Sequence, residues 1–168
     1  RKEGADAAVI TAPPSIAWLF NIRGSDVRCS PLPLGRAILH ADGSAELFVA
    51  PKKVTDEIRE YLGNQVSIRD INELNKGLAD LKEKTVWADP ATASEWVFST
   101  LKRSKATIME AADPIALPKS TKNSAEIAGA ARAHEIDAVP IARFLHWLET
   151  GIEPVSYTHL RAHETAMY

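Results

Sequence analysis

"RAILHADGSAELFVAP", residues 36–51, decides the fold class. Two apolar runs, 37–39 and 47–49, flank Asp42-Gly43, a pair favoured in tight hairpin turns. This is an antiparallel pair, so the sheet is not purely parallel. Outward from it the pattern changes. On the N-terminal side, "ADAAVIT" (5–11) is a short buried strand, and "PPS" opens a helix with Ser15 as its cap. On the C-terminal side, helical and strand periods alternate: "VTDEIREYL" (54–62), "VSIRD" (66–70), "INELNKGLADLKE" (71–83), "TVWAD" (85–89), "TASEWVFSTLKR" (92–103) and "KATIMEA" (105–111). Ile71, Leu74, Leu78 and Leu81 form one helical stripe. Thr92 with Glu95 has the spacing of a capping box. The expectation is an α/β fold, a mixed sheet flanked by helices.

"DPIALPKSTKN" (113–123) interrupts the alternation with two prolines and reads as a linker. A long helix follows, capped by Asn123 with Glu126 at the matching third position. Its apolar seam runs Ile127, Ala131, His134, Ala138, Ile141, Leu145, Leu148, in steps of four and three. Pro140 lies inside it and removes a donor at a cost of about 3 kcal/mol. Either the helix bends there or it is two helices.

The composition is that of an ordinary soluble domain, 45% hydrophobic and 25% charged over 168 residues. A net charge of −2 gives no electrostatic reason to expect nucleic acid or an acidic membrane as partner. No apolar run approaches the length of a membrane span. Cys29 stands alone, which rules out an intrachain disulfide and fits a reducing compartment. It has no neighbouring histidine or redox partner. No glycine-rich loop has the spacing of a dinucleotide fingerprint or a P-loop.

"IAWLFNIRGSD" (16–26), with "KNSAEIAGAARAH" (122–134) and "ARFLHWLE" (142–149), resembles the aminopeptidase P (Xaa-Pro aminopeptidase) family of the creatinase and prolidase superfamily. The resemblance is to the middle domain of three-domain members, and it covers about residues 1–154. It implies a creatinase-type N-terminal α/β domain over 1–118. Residues 119–154 would then be a linker and the first helix of a pita-bread catalytic domain. It implies a parent that is a metalloaminopeptidase, cytoplasmic and homodimeric, cutting peptides after the first residue when proline is second. Two divalent ions, commonly manganese, would serve that reaction from the catalytic domain. None of their ligands can be placed here, so this chain is expected to hold no metal and to be inactive alone. The helix seam is expected to pack on that catalytic domain. The rival expectation is a non-enzymatic creatinase-fold module that binds peptides or histones.

Within the resemblance, Asn21 and Arg23 are the candidate substrate-binding residues. Arg23 suits a peptide carboxylate or carbonyl by its fork geometry. The alternatives for it are structural: pairing with Asp26, or capping backbone carbonyls. Trp18 is expected in the core. The end of the sequence departs from the family. "VSYTHLRAHET" (155–165) is similar to one translated frame of a transposon-end sequencing adapter, so 155–168 are expected to be non-native. His159, His163 and Glu164 follow neither H-E-x-x-H nor H-x-x-E-H order, and no metal role is assigned to them.

Overall fold

The computed structural model describes residues 4–151. The expectations placed on 155–168, including His159, His163 and Glu164, lie outside the described residues. The described chain divides into two units, with the boundary between Thr121 and Lys122.

The first unit is built on a mixed sheet. Its strands are β1 (Ala7–Ile10), β2 (Arg36–His40), β3 (Ala45–Val49), β4 (Val66–Asp70), β5 (Thr85–Ala88) and β6 (Thr107–Glu110). Their order is β4-β3-β2-β1-β5-β6. The β2–β3 hairpin is where the sequence places it, and β1 lies antiparallel to β2. The remaining pairs, β3–β4, β1–β5 and β5–β6, are parallel. Within the hairpin turn, Gly43 takes φ +92°, and its N–H donates to the His40 carbonyl at 3.0 Å. Asp42 Oδ1 accepts from the Ser44 amide at 2.8 Å, which stiffens the bend.

Side chains alternate across the sheet, so each face has its own core. Ala7, Val9, Ile38, Phe48 and Val86 point to one face. There they meet α3 (Leu74–Ala79) and α4 (Glu95–Arg103) through Leu74, Leu78, Leu81, Val97 and Leu101. Ala8, Ile10, Ala37, Leu47 and Val49 point to the other face. They pack with Ile16 and Phe20 of the segment α1 (Pro13–Leu19) that leads into Phe20, and with Ile115. Leu62 of α2 (Asp56–Leu62) joins the edge of this second core. Each large side chain fully buried here contributes about 1.5–3 kcal/mol.

Two expected caps differ in the structure. α1 starts at Pro13, with Ala12 as N-cap and Ser15 buried inside the first turn. Proline's fixed φ already suits the first helical position. α4 begins at Glu95 after Ser94. Thr92 is occupied elsewhere: its hydroxyl accepts from Thr11 Oγ1 at 2.8 Å, tying the end of β1 to the approach to α4. Trp18 is half-buried at the rim of the second core. The linker at 113–123 contains a short helix, α5 (Ala116–Ser120).

A charged network crosses one end of the sheet. Glu46 of β3 accepts from Arg69 of β4 and pairs with His40 of β2 at 3.0 Å. Arg69 also donates to Glu73 from Nη2 at 3.0 Å and sits 5.1 Å from the centroid of the Phe48 ring. Its hydrogen bond to Glu46, then that to Glu73, holds its pKa above the usual arginine value against the cost of desolvation.

The second unit, among the described residues, is one helix, α6 (Ser124–Thr150). Asn123 and Glu126 form a reciprocal capping box, with both bonds at 2.9 Å. Pro140 neither splits nor ends the helix, which is continuous over 27 residues.

Candidate functional site

The segment from Asn21 to Gly35 carries the candidate residues, and each position of "NIRGSD" has a physical task. Asn21 follows α1 with φ +49°, a left-handed conformation that asparagine tolerates better than most residues. Its side-chain amide donates to the Tyr61 hydroxyl at 3.0 Å, which ties the end of α1 to α2. Ile22 is buried in the second core. Arg23 turns one guanidinium nitrogen back onto the chain, where Nη1 donates to the carbonyls of Ala17 at 3.3 Å and Ile22 at 3.0 Å. Of the two structural roles open to Arg23, the geometry therefore shows the capping of carbonyls. Asp26 is paired with another residue.

That residue is Lys53. Asp26 Oδ2 accepts from Lys53 Nζ at 2.8 Å and from the Leu34 amide at 2.7 Å. The Lys53 bond first, and the Leu34 amide second, hold the Asp26 carboxyl below its ordinary range. Gly24 closes the loop from the other side. A Cβ there would lie 2.8 Å from Pro33 Cα, so only glycine lets the two backbones meet. Cys29 sits exposed on the turn between Val27 and Ser30, with φ +59°.

Loop, β3 and α2 together enclose a cleft of about 500 Å³. Its floor is apolar: Leu47 and Val49 from β3, Val54, Ile58 from α2, and Ile22. Its rim is polar and carries Arg23, Ser25, Asp26, Lys52 and Lys53. Lys52 and Lys53 come from the 3₁₀ turn Pro51–Lys53 that follows β3. The rim thus holds three cations and one carboxylate. The sequence offered a signal for two of these cations, the Lys-Lys pair after Pro51, but nothing local connects them to Arg23. Asn21 is not among the residues lining the cleft.

The described residues do not fit a two-metal centre. Among them, no group of three or more His, Cys, Asp or Glu side chains is placed to hold a metal ion. Among them also, no helix is long and apolar enough to cross a membrane.

Comparison with known proteins gives this geometry a family. The chain is 33% identical over 154 residues to Xaa-Pro aminopeptidase 1 of Dictyostelium discoideum, covering 90% of this chain and 24% of that protein. It is 32% identical to aminopeptidase P1 of Arabidopsis thaliana, covering 91% of this chain and 28% of the relative. The chain thus spans about a quarter of the length of the curated relatives it matches. Among solved structures, the X-prolyl aminopeptidase of Caenorhabditis elegans superimposes with a TM-score of 0.78 at 24% identity, over 90% of this chain and 26% of that one. That protein is described as a cytosolic enzyme with a di-nuclear active site. The X-Pro aminopeptidase of Thermotoga maritima gives 0.60 at 19% identity, over 89% of this chain and 42% of that one. Residues 1–126 match the creatinase/prolidase N-terminal domain, three-quarters of the sequence, and the chain belongs to that family.

Proposed function

We propose that this chain is the non-catalytic N-terminal α/β domain of a metal-dependent Xaa-Pro aminopeptidase. The whole protein would remove the first residue from peptides with proline second. One observation carries the reading. A match to an N-terminal domain coincides with relatives named Xaa-Pro aminopeptidase, whose likeness runs through nine-tenths of this chain and about a quarter of their own length. In this reading the domain is residues 1–118. The linker and α6, within 119–154, lead into the hydrolytic domain of a cytosolic homodimer. Two divalent ions, manganese by the family's habit, would supply Lewis-acid chemistry there. The role of this chain's own residues is to bind and orient substrate, with Arg23 on the cleft rim as the contact and Asn21 positioning the loop behind it.

The test is a turnover assay on the purified chain with a proline-second peptide and added Mn²⁺. No release of the leading amino acid is expected. Metal-dependent release by this chain overturns the non-catalytic assignment.

A second reading, a stand-alone binding module, is favoured by the cleft being lined wholly by residues 22–58. The sign of its rim restricts the partner. Arg23, Lys52 and Lys53 against Asp26 repel a basic histone tail, so the module would take a neutral or acidic peptide.

A further inference from the structure

We propose that the cleft between the Asn21–Gly35 segment and α2 is a receptor for the free C-terminal carboxylate of a short apolar peptide. This deepens the substrate contact assigned to Arg23 and rests on that reading.

The charge on the rim does not cancel. Lys53 is taken up by Asp26 at 2.8 Å. Lys52 is exposed and makes no ion pair or hydrogen bond among the described residues. Arg23 uses only Nη1 internally, for the Ala17 and Ile22 carbonyls. Its Nε and Nη2 remain without partners among the described residues. Those two nitrogens form the edge of a guanidinium that matches a carboxylate bidentately. The two internal bonds to Nη1 also fix the plane of the group before any ligand arrives, which lowers the ordering cost of binding. Arg23 and Lys52 thus present two uncompensated cations across the mouth, with the Ser25 hydroxyl on the same rim.

The floor says what the anion is attached to. Leu47 and Val49 lie at the bottom of the cleft, with Val54 and Ile58 beside them. A volume of about 500 Å³ is within the range of sites that hold organic ligands, and it far exceeds one inorganic anion. An anion alone would leave that apolar surface wet. A peptide ending in an apolar residue fills both parts: its carboxylate meets Arg23 and Lys52, and its last side chain covers Val54 and Ile58, the half-buried part of the floor above the buried Leu47 and Val49. Asp26 sets the orientation. It sits on the rim beside Lys53, where a second carboxylate would be repelled, so the end of the peptide is steered toward Arg23 and Lys52.

The test is calorimetric titration of the full chain with Gly-Pro-Leu as free acid, with the same peptide as its C-terminal amide, and with inorganic phosphate. The expected result is binding of the acid, at least tenfold weaker binding of the amide, and little competition from phosphate. Lys52→Gln, at an exposed position without partners, should lower the acid's affinity severalfold and shrink the preference for acid over amide. Arg23→Lys should do the same more strongly. No binding of the acid, equal binding of acid and amide, or an intact acid preference in Lys52→Gln each overturns the proposal. Phosphate that displaces the peptide at equal concentration also overturns it, because a bare anion site makes no use of the floor. Binding needs no turnover, so a whole protein that proves not to be a peptidase leaves this measurement unaffected.

Discussion

Asp26 and Lys53 stand 27 residues apart in sequence, and their side chains meet at 2.8 Å across the mouth of the cleft. The same Asp26 oxygen holds the Leu34 amide, so one carboxylate fastens the loop both to its own far end and to the turn after β3. Lys53 and the Leu34 amide hold its pKa below the ordinary carboxylate value. A carboxyl with a depressed folded-state pKa contributes stability that is complete above the unfolded-state value. That contribution is lost as pH falls through the folded-state value. Hydrogen exchange at the Leu34 amide, corrected for the intrinsic rate, should therefore quicken as pH drops below the usual carboxylate range. In Asp26→Asn the amide should already be fast at neutral pH. Equal protection in wild type and variant would show that the loop is held by other contacts.

Gly77 on α3 lies against the buried Phe48 ring. A Cβ there would stand 2.5 Å from Phe48 Cζ and 3.3 Å from Ile38 Cδ1. Alanine gains about 1 kcal/mol in helix propensity, while overpacking a filled core costs about 1–3 kcal/mol. Crowding against a ring with no exposed surface outweighs propensity, so Gly77→Ala should lower the denaturation midpoint. A raised midpoint would mean that α3 slides outward easily.

Leu78, one residue on, is fully buried in the same core. Leu78→Ala should cost about 2–5 kcal/mol, measured by urea unfolding at constant m-value. A loss under 1 kcal/mol would mean that the helices over this face collapse into the space.

Glu46 joins His40 and Arg69, whose side chains are 20% and 15% exposed. Glu46→Leu leaves Arg69 with Glu73 alone and desolvated against Phe48. It should cost about 1–3 kcal/mol. Glu46→Gln, which retains an acceptor oxygen, should lose less. Equal losses in the two variants would assign the effect to packing and not to the hydrogen bonds.

Pro140 deprives the Ile136 carbonyl of its partner inside a continuous α6. Pro140→Ala should raise helical circular dichroism and slow exchange in the middle of the helix. Asn123→Ala, which removes the reciprocal cap, should fray its first turn at a cost of about 0.5–2 kcal/mol. If Pro140→Ala leaves the exchange pattern unchanged, water already satisfies that carbonyl.

What the sequence made legible is what local chemistry encodes. Asp42-Gly43 marks the hairpin, alternation marks the sheet, and Asn123 with Glu126 marks the start of α6. The caps of α1 and α4 misled because two residues competed for each role. Pro13 had a backbone angle already suited to the first turn, and Thr92 was claimed by Thr11, 81 residues away. The cleft was half visible. Arg23 stood out through the motif around it. Lys52, the Asp26–Lys53 pair and the His40–Glu46–Arg69 network depend on which strands become neighbours, and no short-range period records that.

Gly24 pressed on Pro33 also bears on how binding preferences could diverge in this fold. Main-chain contact at that junction, with Asp26 as its clasp, sets the position of one wall. Arg23 caps two carbonyls of that wall, whereas Ser25 and Lys52 project from the rim and take almost no part in holding it together. A combinatorial library at Ser25 and Lys52, with Arg23 kept, should yield proteins with altered ligand choice and near-constant melting temperature. In such a library, recognition would be a replaceable fitting mounted on an invariant frame.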